Sequence, residues 1–205
     1  SRTFFPLAEL TKPEVRLIAE KAGLVNAHKS DSQDICFVPD GDYTAVIEAL
    51  APDAFPKGDF IDINGAKVGT HRGLHRYTIG QRRGLALPVG YPIYVVEKSA
   101  EHNTVTVGVG DSLLAAACSV REVNRIAEMP QEPFCAEVKT RYRQQLKKAR
   151  IEPAGASRVR IVFTEPERAV ARGQAAVFYR GSRVLGGGIV DSVESAYHQA
   201  SGSLP

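Results

Sequence analysis

The chain has 205 residues, enough for one or two domains. Its 26 Lys and Arg stand against 23 Asp and Glu, a net charge of +3, so composition points to nucleic acid only where the cations cluster. No run approaches the ~18 apolar residues of a membrane span, and three cysteines without CxxC spacing argue against a disulfide scaffold and a zinc site. A reduced, cytoplasmic protein is the expectation.

The opening Ser1-Arg2-Thr3 carries no methionine and the single Met is Met129, which reads as a fragment whose N-terminal part is absent. Thr11-Lys12-Pro13-Glu14 is a helix start, with Thr11 as cap, Glu14 closing a capping box, Leu10 stapling onto Val15 and Pro13 tolerated in the first turn. Val15, Ile18, Ala19 and Ala22 share one face, and Gly23 ends the helix. A second helix is expected from Asp42 to about Leu50, stopped by Ala51-Pro52.

Beyond Pro52 the period becomes that of strands. Phe60–Ile63 and Ala66–Gly69 flank Asn64-Gly65, a strong hairpin signal. Ile93–Glu97 and Thr104–Val109 form a second pair. Six short strands are then expected near Ser119–Val123, Ala136–Thr140, Lys147–Glu152, Val159–Phe163, Ala175–Tyr179 and Val184–Val190, a spacing that suits a small barrel or sandwich. The expected fold is mainly β (α+β overall). It has a helical stub (1–50), a small β-rich central domain (51–115), a C-terminal six-stranded β-barrel (116–193) and a frayed small-residue tail (194–205, loosening from Ser192).

Cys36 stands apart from the other thiols. It follows the polar run Lys29-Ser30-Asp31-Ser32-Gln33-Asp34, where solvent can reach it, and accessible thiols among polar neighbours are the reactive ones. Cys118 and Cys135 lie in strand-like segments and read as small core residues. Cys36 is therefore expected to be the most reactive of the three, in a mobile loop over Lys29–Asp34. Context alone leaves open whether it is catalytic or structural.

Charge is clustered in two places. From Ile63 to Val96 there is no Asp or Glu, while Arg72, Arg76, Arg82 and Arg83 lie among Gly and Tyr. From Lys139 to Arg150 six cations occur in twelve residues with no acid, and Arg141-Tyr142-Arg143-Gln144 interleaves planar cations with a ring. Such faces stack unpaired bases, Arg holds phosphate, and Gln can bond a base edge. The alternatives are a solvated basic loop and an edge hairpin kept soluble by lysines. Leu185-Gly186-Gly187-Gly188 reads as a strand with a bulge or close backbone contact rather than a phosphate cradle, because no helix follows it.

Taken in order, Phe5-Pro6-Leu7, Leu10-Thr11-Lys12-Pro13-Glu14-Val15-Arg16, Ser32-Gln33-Asp34-Ile35-Cys36-Phe37, Tyr77-Thr78-Ile79-Gly80-Gln81-Arg82-Arg83-Gly84-Leu85, Arg141-Tyr142-Arg143-Gln144, Gly173-Gln174-Ala175-Ala176-Val177-Phe178-Tyr179 and Leu185-Gly186-Gly187-Gly188 resemble the tRNA-specific 2-thiouridylases. The resemblance runs from Phe4 to about Val190. It implies an enzyme that adenylates the C2 oxygen of a wobble uridine with ATP and magnesium, in an N-terminal domain nearly absent here, and replaces that oxygen with persulfide sulfur. The family's Ser-Gly-Gly-x-Asp-Ser loop and first catalytic cysteine are not in this sequence, so no cofactor is expected on it and the fragment alone should be inactive.

By resemblance Cys36 is the second catalytic cysteine and carries the persulfide, and Arg141, Tyr142 and Gln174 contact tRNA. Arg143, Arg76, Arg82 and Arg83 are added on charge and position. The implied partners are tRNA and a persulfide-donating relay protein or cysteine desulfurase. No membrane partner is expected, and the chain should be a monomer. Two rivals are a non-catalytic RNA-binding barrel with a structural Cys36 and a tRNA methyltransferase.

Overall fold

A computed structural model describes residues 4–29, 38 and 42–197. Cys36, most of its polar loop and the end of the tail lie outside these. The chain divides into two compact units, Ser1–Leu50 and Ala51–Pro205.

In the first unit, α1 (Lys12–Lys21) starts where the capping box sets it. The Glu14 carboxylate accepts from the Thr11 backbone N–H at 2.7 Å and from its hydroxyl at 2.6 Å. Those two bonds hold the Glu14 carboxyl below its ordinary value. Asp42 caps α2 (Tyr43–Leu50) by accepting from Thr44 N–H and Ala45 N–H. Neither helix has a buried residue.

The second unit contains two sheets. β1 (Gly58–Asp62) and β2 (Lys67–His71) form the Asn-Gly hairpin, with Gly65 at φ 87°. β3 (Tyr94–Ser99) and β4 (Thr104–Gly108) form a second antiparallel pair. A parallel pairing, Phe60 opposite Val105, joins the hairpins in the order β2-β1-β4-β3. Phe60, Tyr77, Leu85, Val95, Val105 and Val107 fill this core. The buried His71 receives the Gly73 N–H at Nδ1, so its Nε2 carries the proton and donates to the Asn103 carbonyl at 3.0 Å.

β5 (Leu114–Arg125), β6 (Phe134–Lys139), β7 (Lys147–Pro153), β8 (Val159–Arg168), β9 (Ala175–Arg180) and β10 (Arg183–Ser195) close into a barrel in the order β10-β5-β8-β7-β6-β9. Alternation sends Val120, Val138, Ile151, Ile161 and Phe178 inward. The glycine run of β10 reads as expected. A Cβ on Gly186, Gly187 or Gly188 would sit 2.5–2.7 Å from a carbonyl oxygen of the neighbouring strand, so only glycine permits the close approach and its register shifts.

Two expectations and one alternative reading are corrected. Ser192 to Ser195 belong to β10, paired with β5, rather than to the tail. The lysine-rich β6–β7 hairpin is not an edge, because barrel closure pairs β6 with β9 and β7 with β8. Cys135 is exposed, since it occupies an outward position of β6 between Phe134 and the inward Ala136.

Cys118 does point into the barrel, and burial together with the nearby Glu194 carboxylate pushes its thiol up to about 12. Under native conditions iodoacetamide should therefore label Cys135 and leave Cys118 intact until the chain unfolds. Peptide mass spectrometry reads this directly, and native labelling of Cys118 would contradict the packing.

Ion pairs cross the outside of the barrel. Arg160 of β8 forks onto both oxygens of Glu194 on β10, at 2.8 and 2.7 Å, and reaches Glu152 of β7 at 3.0 Å. This holds the Glu194 carboxyl below its ordinary 4.5 and raises Arg160. Since the folded value is the depressed one, the stabilisation is present above 4.5 and is lost as pH falls through the lower folded value. Solvent screening keeps it under about 1 kcal/mol. The urea midpoint of Glu194→Gln should lie slightly below the parent's at neutral pH, and the two should converge in acid. A gap that persists in acid would refute the pairing.

Candidate nucleic-acid interface

Three turns carry most of the sequence-predicted contact residues, and they share one construction. In each a glutamine closes a four-residue turn in both directions, side chain and backbone. Gln81 accepts the Thr78 N–H through Oε1 at 2.9 Å and returns its own N–H to the Thr78 carbonyl. Gln144 does the same with Arg141, at 3.2 Å each way, and its Oε1 also accepts from the N–H and hydroxyl of Thr140 at 2.8 and 2.9 Å. Gln174 repeats it with Ala171. A side chain that caps its own turn replaces water at otherwise unpaired donors, and the turn is held in one shape.

These turns meet at one end of the barrel. The meeting point is the end of β8, Glu167-Arg168, with Ala169. Arg141 Nη2 donates to Glu167 Oε1 at 3.1 Å and to the Arg168 carbonyl at 2.9 Å. The Arg168 guanidinium lies over the Tyr94 ring at 4.8 Å and donates to the Gly110 carbonyl at 3.0 Å, which ties barrel to sheet. Ala169, at φ 56°, donates to the Leu113 carbonyl. Gly80 comes so close to Ala169 that an added Cβ would lie 3.3 Å from the alanine methyl. The Gly80 turn is itself pinned to β3 through Gly80 N–H to Val95 O and Val95 N–H to Gln81 O.

A cleft of about 230 Å³ lies beside this junction, with Ile79 and Val96 on the sheet side and Leu113 and Ala169–Arg172 on the barrel side. Lys98, also on its wall, donates to the carbonyls of Leu74 and Tyr77, and burial lowers its ammonium from the ordinary value.

The expected contact residues divide by their surroundings. Tyr142 stands 95% exposed at the tip of its turn, with Arg143 exposed beside it. Arg82 and Arg83 are exposed just after the Gln81 turn, and Arg76 is half-buried in a 3₁₀ turn (Leu74–Arg76). Gln174 is half-buried and Arg172 exposed in the third turn. Gln144, expected to read a base edge, spends its carbonyl oxygen on three donors of its own turn. Cys36 lies outside the described residues.

Sequence reading missed Glu167. It is a carboxylate only 4% exposed on a strand whose pattern is otherwise ordinary, so no local signal marks it. It also treated the glutamines as separate residues. Their common placement at the fourth position of each turn, in Thr78-Ile79-Gly80-Gln81, Arg141-Tyr142-Arg143-Gln144 and Ala171-Arg172-Gly173-Gln174, was visible in the sequence.

No group of three His, Cys, Asp or Glu side chains converges among the described residues, and no glycine-rich loop opens a helix there. No helix among them is long and apolar enough to cross a membrane.

Three family models match in succession: a tRNA methyl transferase HUP domain over residues 1–40, a tRNA methyl transferase PRC-barrel domain over 45–109, and an aminomethyltransferase beta-barrel domain over 115–190. A tRNA-specific 2-thiouridylase MnmA of Treponema denticola is 55% identical over 95% of this chain and 55% of its own length. Proteins of the same name from Carboxydothermus hydrogenoformans and Magnetococcus marinus are each 42% identical, over 93% and 90% of the chain and 52% of their own length. The chain spans about half the length of the curated relatives it matches. With the three models in one order and relatives of one name along nearly all of its length, the chain belongs to the tRNA-specific 2-thiouridylase family.

Proposed function

We propose that the chain is the RNA-holding and sulfur-presenting part of an enzyme that 2-thiolates the wobble uridine of tRNA. The observation that carries this is the meeting of three glutamine-closed turns at one barrel end. Two of the turns carry Tyr142, Arg143 and Arg172, Arg82 and Arg83 follow directly on the third, and the turns themselves hold no acidic side chain. A rigid basic rim with a projecting ring suits a folded, partly unpaired RNA, since cations hold phosphates and the ring stacks a base. In this reading Arg141 and Gln174 lie in those turns, and Arg76 adds charge from the 3₁₀ turn Leu74–Arg76.

In this reading Cys36 carries a persulfide. Its terminal sulfur bonds to C2 of an adenylated uridine, the C2 oxygen leaves with the adenylate, and a second thiol breaks the sulfur–sulfur bond by forming a disulfide. The nucleotide and magnesium belong to a domain outside these residues. The persulfide is supplied by a cysteine desulfurase or a relay protein, and the setting is cytoplasmic. Names with methyl transferase in the family models do not alter this reading, because the relatives are named thiouridylases and a persulfide needs a cysteine rather than a methyl donor.

Two measurements test it. Filter binding should show a salt-dependent complex with tRNA, stronger than with duplex RNA of equal length. After incubation with a persulfide donor, mass spectrometry should place one extra sulfur on Cys36. A chain that binds neither RNA, or that takes up no sulfur at Cys36, would overturn the corresponding half of the proposal.

A further inference from the structure

Arg141 heads the most basic segment of the chain and would ordinarily be read as a phosphate ligand. Its geometry says otherwise. One of its terminal nitrogens, Nη2, is bonded to Glu167 Oε1 and to the Arg168 carbonyl. The Glu167 side chain is 5% exposed, so its charge is poorly solvated and relies on the guanidinium beside it. A cation neutralised by a buried carboxylate has little field left for a phosphate. The next residue, Tyr142, is the most exposed of the large apolar side chains among the described residues outside the first unit.

We infer that Arg141 is a positioning residue, which acts through Glu167 to aim the Tyr142 ring at an unpaired base of the RNA, and not a phosphate contact. The inference rests on the RNA-binding reading above. Three constraints converge on the one turn: Arg141 clamps its start to the end of β8, Gln144 closes it, and Thr140, 3% exposed, seats its base through two bonds to Gln144. A ring on such a turn loses little freedom when a base stacks on it, and the stacking is therefore retained as affinity. The clamp also couples two surfaces. Arg168, whose carbonyl receives Arg141, holds β3 through Tyr94, and Ala169 abuts Gly80. The aim of Tyr142 is thus set relative to Arg82 and Arg83.

The test is tRNA binding by the full chain over a salt series, for Arg141→Ala, Arg141→Lys, Glu167→Ala, Tyr142→Ala and the double variant Arg141→Ala/Tyr142→Ala. A positioning role predicts that Arg141→Ala weakens binding roughly tenfold to a hundredfold, the size of a lost stack, with the salt slope unchanged. Arg141→Lys should not rescue, because the lysine chain ends one atom short of Nη2, the nitrogen that holds the carboxylate and the carbonyl together. Glu167→Ala should weaken binding too, and the double variant should bind no worse than Tyr142→Ala alone.

A phosphate contact predicts the opposite signs. Arg141→Ala would flatten the slope by about one unit, lysine would rescue, and Glu167→Ala, which frees the guanidinium, would tighten binding. Those results overturn the inference and leave the RNA-binding reading intact. A parent chain that binds no tRNA overturns both. Circular dichroism melts identify any variant that fails to fold, and Tyr142→Ala, which removes an exposed ring, supplies the non-additivity arm in either case.

Discussion

Cys36→Ser should abolish thiolation of tRNA while leaving tRNA affinity unchanged. The proposed step needs an atom that can hold a second sulfur and give it up. A cysteine thiolate does so because the sulfur–sulfur bond is weak and polarisable, whereas a serine hydroxyl forms no comparable bond and is not ionised near neutrality. Since the substitution changes one small atom and no charge on the basic rim, binding should not respond. The assay is nucleoside mass spectrometry of tRNA from a strain whose only thiouridylase carries Cys36→Ser, paired with filter binding of the purified protein. Residual thiolation would mean that another thiol receives the sulfur. Cys135 would be the first to examine because it is exposed, whereas Cys118 is sealed in the barrel with its thiol pushed up to about 12.

Tyr142→Ala has the second largest expected effect, a loss of about 1–3 kcal/mol in tRNA binding. The side chain is 95% exposed and carries no charge, so two controls come with it. The salt slope should match the parent's, because no counterion release is lost. The melting temperature should also match, because surface substitutions away from packed features shift stability by less than about 0.5 kcal/mol. A Tyr142→Phe variant should retain most of the affinity if the ring stacks and lose it if the hydroxyl bonds the RNA. Unchanged affinity for Tyr142→Ala would move the RNA surface elsewhere, most naturally onto Arg72–Arg83.

Some contacts were legible because they are local. The capping box at Thr11 and Glu14, the Asn64-Gly65 hairpin and the six barrel strands depend on neighbours within a few residues, and their side-chain periods are written along the chain. The glycine run of β10 could likewise be assigned to a strand, since no helix follows it. Cys135 was misjudged because a strand pattern states that residues alternate without stating which side of a short strand faces the core. Ser192–Ser195 were misjudged because one valine among two serines and a glutamate is too short a run to show a strand period, and pairing with β5 holds the segment in the sheet.

The sequence by itself determined the element types, the mainly β class, the family and the two basic segments, since each rests on local chemistry or on motifs in order. Tertiary structure alone decided what the charges do. Whether Lys139–Arg150 was an edge or part of a closed wall depended on β6 meeting β9 and β7 meeting β8. Whether Arg141 faces a phosphate or a carboxylate depended on Glu167, 26 residues away along the chain. The reason is physical: an ion's partner is set by distance through space and by the exclusion of water. A buried carboxylate becomes visible only when the strand that carries it has been folded into place.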